Sequence, residues 1–249
     1  MSAASDSAAA LVDSARELGA GLYRLLAGAF VAPPAPELLA PLVDPGTADA
    51  AEALLGVAVA ERLRELGRLP VDPVALRQEF FDLLAVPTSR YVTPFESVYC
   101  DERDVAGRPV RGLLGGPSTD AVRRCYERAG FRVEARELPD HIACELAFLG
   151  ELHGRAAGGQ ASAVEAAAVF AAAHPARWLP ALVECIAENA RSAVFPALAR
   201  LAAALVAADA ARCATGMSAA ASSLAVGASQ VPSRPALERH PPSGGDCRS

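Results

Sequence analysis

Asp140 and His141 stand side by side at the head of an apolar stretch through Ile142, Leu146, Phe148 and Leu149. A carboxylate beside an imidazole can bind a cation, pass a proton or cap a helix. Ser97 offers a hydroxyl for a Ser-His-Asp set, but no nucleophile elbow surrounds it. Neighbouring residues on a helix also point about a hundred degrees apart, so Asp140 is poorly placed to orient His141. His141, Glu145 and His153 invite a metal reading. The first two share a helix face at i and i+4, while His153 lies twelve residues beyond His141 and no HExxH order exists. A small helical metal-dependent hydrolase on His141, Glu145 and His153 is therefore the alternative reading, with little support. No catalytic residue, metal or cofactor is expected.

The charge inventory narrows the chemistry further. All 23 positive side chains are arginine, and the chain has no lysine. That excludes a P-loop lysine, a pyridoxal-phosphate Schiff base and the usual kinase machinery. Gly112-Leu113-Leu114-Gly115-Gly116 lacks the lysine and preceding strand of a phosphate cradle and reads as a flexible link. A net charge of −6 argues against nucleic acid and suits a basic partner. Six scattered cysteines, without a CxxC pair, read as reduced and mostly buried.

The elements that must position these residues are helical. The chain is 52% hydrophobic with only 5% aromatic residues, and its alanine-rich stretches carry leucine at helical spacing. Proline, glycine and capping residues predict helices over 5–31, 37–43, 47–66, 72–87, 118–129, 139–154, 160–173, 178–189 and 194–213. Pro87 to Pro117 shows no helical period and reads as a long loop, either functional or a linker. The expected architecture is a single all-α bundle over 1–215 with two helical halves, about 5–116 and 117–215. A flexible low-complexity tail is expected over 216–249. No run reads as a membrane span and no signal-peptide core opens the chain, which suggests a cytoplasmic protein without stable membrane insertion. The long loop is compatible with a monomer or a domain-exchanged dimer.

Three separated segments carry a resemblance. Tyr91-Val92-Thr93-Pro94-Phe95-Glu96-Ser97-Val98-Tyr99 resembles the aromatic loop of TorD/DmsD-type chaperones, which mature molybdenum oxidoreductases. Glu137-Leu138-Pro139-Asp140-His141 is similar to their signature between the two halves, and His174 to Trp178 to their following HxxxW segment. The resemblance implies an all-α cytoplasmic chaperone. It implies a partner too: the twin-arginine signal peptide and apo-form of a molybdopterin-containing catalytic subunit, held back from export until its cofactor is inserted. It assigns Asp140 and His141 to peptide binding, with Leu83, Leu84, Tyr91, Pro94, Phe95, Ser97 and Tyr99 on the apolar loop and helix.

Such a leader presents two arginines and an apolar segment, so its receptor needs carboxylates beside an apolar groove. Asp101, Glu102, Asp104, Glu137 and Asp140 are the candidate carboxylates. Tyr91 and Tyr99 can equally pack the loop onto the helices or line the groove. Trp178 reads as a core anchor.

Overall fold

Proline punctuation between alanine–leucine stretches resolves into helices. The computed structural model describes residues 2–133 and 138–227, with side chains over 10–133 and 138–213. In order they are α1 (Ser2–Val31), α2 (Pro36–Val43), α3 (Pro45–Leu54), α4 (Val57–Gly67), α5 (Pro73–Phe80), α6 (Glu96–Cys100), α7 (Pro117–Ala129), α8 (Ile142–Ala157), α9 (Ser162–Ala173), α10 (Pro175–Asn189) and α11 (Val194–Gly227). Proline occupies the first turn of α2, α3, α5, α7 and α10, where its missing N–H costs nothing. Asp72 caps α5 by accepting from the Val74 and Ala75 N–H groups. The described residues are all-α apart from one small hairpin.

The departures from expectation have local causes. Gly56, at φ 103°, breaks the helix expected over 47–66 into α3 and α4. A π-helical turn, Phe81–Ala85, follows α5 and carries Leu83 and Leu84 into the core. The presumed loop is largely ordered: it contains α6 and the antiparallel strands β1 (Glu102–Val105) and β2 (Arg108–Arg111). Ala106 and Gly107 both take positive φ, the requirement of the tight two-residue hairpin turn. Helix α8 starts three residues later than Pro139, because 139–141 are spent on contacts with that segment. Helix α11 runs past Cys213 to Gly227, where high alanine propensity outweighs weak periodicity.

The body Met1–Ala214 is one compact unit, and Thr215–Ser249 is a second. In the body, α8 lies at the centre and buries residues around most of its circumference, among them Ile142, Leu146, Phe148, Leu149 and Leu152. Helix α1 packs along it at close range. A Cβ added at Gly150 would lie 3.3 Å from the Ala20 carbonyl oxygen and the Tyr23 Cβ, and one at Gly19 would lie 3.0 Å from the His153 ring. One hydrophobic core runs through both sequence halves, from Leu26 and Phe30 through Leu149 to Phe195 and Leu198.

The stretch Val194–Cys213 is long and apolar enough to cross a membrane by composition, which the sequence reading missed. It is the core helix of this body: Phe195, Leu198, Leu201 and Ala202 are fully buried against the rest of the protein.

Candidate functional site

The site begins where the two halves are sewn together. Asp140 Oδ2 accepts a hydrogen bond from the Ser97 N–H at 3.0 Å, and the Asp140 carbonyl accepts from the Glu96 N–H at 2.9 Å. The carboxylate therefore satisfies an N–H at the open start of α6, a capping role filled from a distant segment. The Ile142 N–H donates to the Pro94 carbonyl at 3.0 Å, and Phe95 and His141 form an isolated antiparallel bridge. Their rings meet edge to face at 4.9 Å. His141 is the N-cap of α8, its Nδ1 accepting from the Ala143 N–H at 3.1 Å. Burial pulls the imidazole down to about 4 against an opposing pull from Asp140, so His141 is neutral at pH 7 and its proton sits on Nε2.

Behind this seam lies a buried polar cluster. Glu96, Asp140 and Glu145 are fully buried. Glu96 Oε2 lies 3.0 Å from His174 Nδ1, and the Arg177 guanidinium stands 3.8 Å from Oε1. Trp178 Nε1 donates to Glu145 Oε2 at 3.1 Å, and the Trp178 ring stacks on Tyr99 at 5.4 Å. The Tyr126 hydroxyl donates to the Pro139 carbonyl at 2.9 Å.

Burial first, then the Glu96 charge, holds the Glu145 carboxyl well above its usual range. Burial pulls His174 down, but hydrogen bonds to Cys125 and Glu96 outweigh it and raise the imidazole to about 9. His174 is thus the cation that balances Glu96.

Asp140, Ser97, Leu83, Leu84 and Pro94 are buried, whereas Tyr91, Phe95, Tyr99 and His141 keep part of their surface exposed. The seam brings Phe95, Ser97, Asp140 and His141 together. The carboxylates nominated for arginine binding already have partners. Asp101 accepts from the N–H and hydroxyl of Ser118, which holds the start of α7. Glu102 pairs with Arg111, and Asp104 accepts from the Gly107 N–H in the hairpin turn. Glu137 lies outside the described residues.

The three residues of the hydrolase alternative are engaged separately, His141 with the Ala143 N–H, Glu145 with Trp178 and His153 with Asp209 at 2.7 Å. Among the described residues no group of three His, Cys, Asp or Glu side chains is arranged to hold a metal. Ser97 is fully buried and its hydroxyl accepts from the Gly115 N–H at 3.2 Å.

Sequence reasoning missed Glu96, Glu145 and His174 as partners. The signal was present in outline: the aromatic loop supplies Glu96, the Pro-Asp-His segment supplies Asp140, and the following segment supplies His174 and Trp178. Separation in sequence concealed that these polar groups share one dry volume.

The body is all-helical, and its distant polar segments meet in a buried node with aromatic side chains at its edge. The nitrate reductase delta subunit family model matches residues 43–184, more than half of the chain, and the chain belongs to this TorD-like family. It is 30% identical over 156 residues to the chaperone protein TorD of Vibrio cholerae serotype O1, El Tor Inaba strain, covering 60% of this chain and 67% of that protein. TorD of strain M66-2 is 30% identical over 141 residues, which is 54% of this chain and 60% of the relative. The relatives' name, chaperone, supports a non-enzymatic role.

Proposed function

We propose that this protein is a cytoplasmic maturation chaperone for a molybdopterin-containing oxidoreductase. It binds the twin-arginine signal peptide and apo-form of the catalytic subunit, assists cofactor insertion and delays export until maturation is complete. The observation that carries this reading is the convergence of the three segments on one seam, in a chain whose relatives are named TorD chaperones. Direct contact with the leader falls to the side chains with accessible surface, Tyr91, Phe95, Tyr99 and His141. Asp140, Ser97, Pro94, Leu83 and Leu84 are positioning residues that hold this rim in shape.

The chemistry of the partner suits the rim. The leader's apolar segment would cover the aromatic edges, and its arginines would be drawn by the net charge of −6. Exposed carboxylates such as Glu102 can exchange an exposed arginine partner for one from the leader at little cost. Binding should therefore weaken as salt rises, without vanishing.

The test is capture of the full-length protein's native partners, followed by titration with the leader of any recovered molybdoenzyme subunit. Recovery of such a subunit with its leader attached, and loss of affinity when both leader arginines become glutamine, are the expected results. Repeated recovery of unrelated proteins, or a titration indifferent to the arginines, would overturn the reading.

A further inference from the structure

His174 has a second partner that the maturation role does not use. Its Nε2 lies 3.7 Å from Cys125 Sγ, while its Nδ1 is fixed by Glu96 at 3.0 Å. Arg128 donates to the same sulfur at 3.2 Å. This is the order sulfur, imidazole, carboxylate, in which the third group orients the second toward the first. The sulfur and the imidazole both line an open cavity of about 490 Å³ between α7, α8 and α9. Phe148, Leu152, Val169 and Phe170 supply its apolar wall.

We propose that Cys125, His174 and Glu96 form a peroxide-reactive thiol site whose substrates are organic hydroperoxides, R–O–OH, with an apolar R group small enough for this cavity. The imidazolium and guanidinium favour the thiolate, and the hydrogen bond from His174 is the leading cause that lowers the Cys125 thiol below its ordinary range. The thiolate attacks the outer peroxide oxygen, so an S–O bond forms as the O–O bond breaks. The departing alkoxide takes the proton from His174 Nε2 and leaves as R–OH. Sulfur is oxidised by two electrons to the sulfenic acid, the peroxide is reduced by two, and the neutral imidazole regains its proton from water.

Two of the other described cysteines sit in different surroundings. Burial, followed by the charge of Glu96, pushes the Cys100 thiol up to about 11. Cys144 is buried in the core.

The test exposes the full-length protein to cumene hydroperoxide or to hydrogen peroxide, traps sulfenic acid with dimedone and reads each cysteine by peptide mass mapping. Cys125 should be labelled first, about tenfold faster than Cys100 or Cys185. Arg128→Ala, at an exposed position, should slow it several-fold. Ala166→Trp and Val169→Trp place bulk in the cavity from its exposed rim. Each should slow the reaction with cumene hydroperoxide several-fold more than that with hydrogen peroxide. Labelling of Cys125 no faster than of the other cysteines overturns the proposal, and so does a cumene hydroperoxide rate that neither cavity variant alters.

Discussion

Asp140 Oδ2 accepts from the Ser97 N–H at 3.0 Å across 43 residues of chain, so one carboxylate fastens the aromatic segment to the start of the central helix. Its second oxygen, Oδ1, is buried and has no hydrogen-bond partner among the described residues. A buried oxygen left in such a place costs stability that the capping bond offsets in part.

Asp140→Ala should therefore lower stability by about 1–2 kcal/mol, the usual worth of a lost helix cap, and loosen α6. Asp140→Asn keeps an acceptor for Ser97, so it should be the milder change. Urea unfolding of both variants checks the order. If alanine and asparagine behave alike, the bond to Ser97 is not what Asp140 contributes.

Much of this was legible in the sequence, and the remainder was hidden for specific reasons. The long helices followed from spacing and proline punctuation, which are local signals. The start of α8 was misplaced because Pro139 and Asp140 satisfied every local rule for a helix opening. What displaced it was non-local, the bonds from Glu96 and Ser97 to Asp140 and from Ile142 to Pro94. The hairpin escaped because Ala106 carries no turn preference, and its positive φ depends on the strands beside it. Likewise Glu145 looked like a metal ligand on its own helix, and only the fold shows it facing Trp178.

Glu145 makes the protein sensitive to alkali. Its folded pKa is raised by burial and by Glu96, so between the ordinary carboxyl range and that raised value the folded state holds a proton that the unfolded chain has lost. Stability from this group is complete below the unfolded pKa and falls as pH rises. Glu145→Gln imitates the protonated form and can still accept from Trp178. It should flatten the decline in unfolding free energy as pH rises above the ordinary carboxyl range, and an unchanged slope would mean that Glu145 is ionised in the folded protein.

The two histidines of the seam act at opposite ends of the pH scale. His174, raised to about 9, contributes stability that is complete below the unfolded value of about 6.5 and is lost as pH climbs through 9. His141, lowered by burial to about 4, contributes stability that is present above about 6.5 and is lost as pH falls toward 4. His174→Gln should therefore weaken the alkaline slope. His141→Asn, which keeps an N-cap acceptor without a titrating ring, should weaken the acid one. Denaturant unfolding at pH 5, 7 and 9 separates the two effects, and a variant that changes the opposite limb would reverse the assigned charge states.

Trp178 connects the rim to the buried acids and is the chain's single tryptophan. Its ring is fully buried and stacks on Tyr99, whereas its Nε1 donates to Glu145. A ligand that moves Tyr99 changes the packing of the indole, and ionisation of Glu145 changes the strength of its hydrogen bond. Leader binding at the proposed rim should accordingly shift or quench the intrinsic fluorescence, and Tyr99→Leu should reduce the response. Trp178→Phe removes the N–H donor and leaves Glu145 Oε2 buried without it, which should cost about 1–3 kcal/mol in unfolding free energy. Saturating leader with an unaltered emission spectrum would put the peptide away from Tyr99, because contact there cannot leave a stacked indole undisturbed.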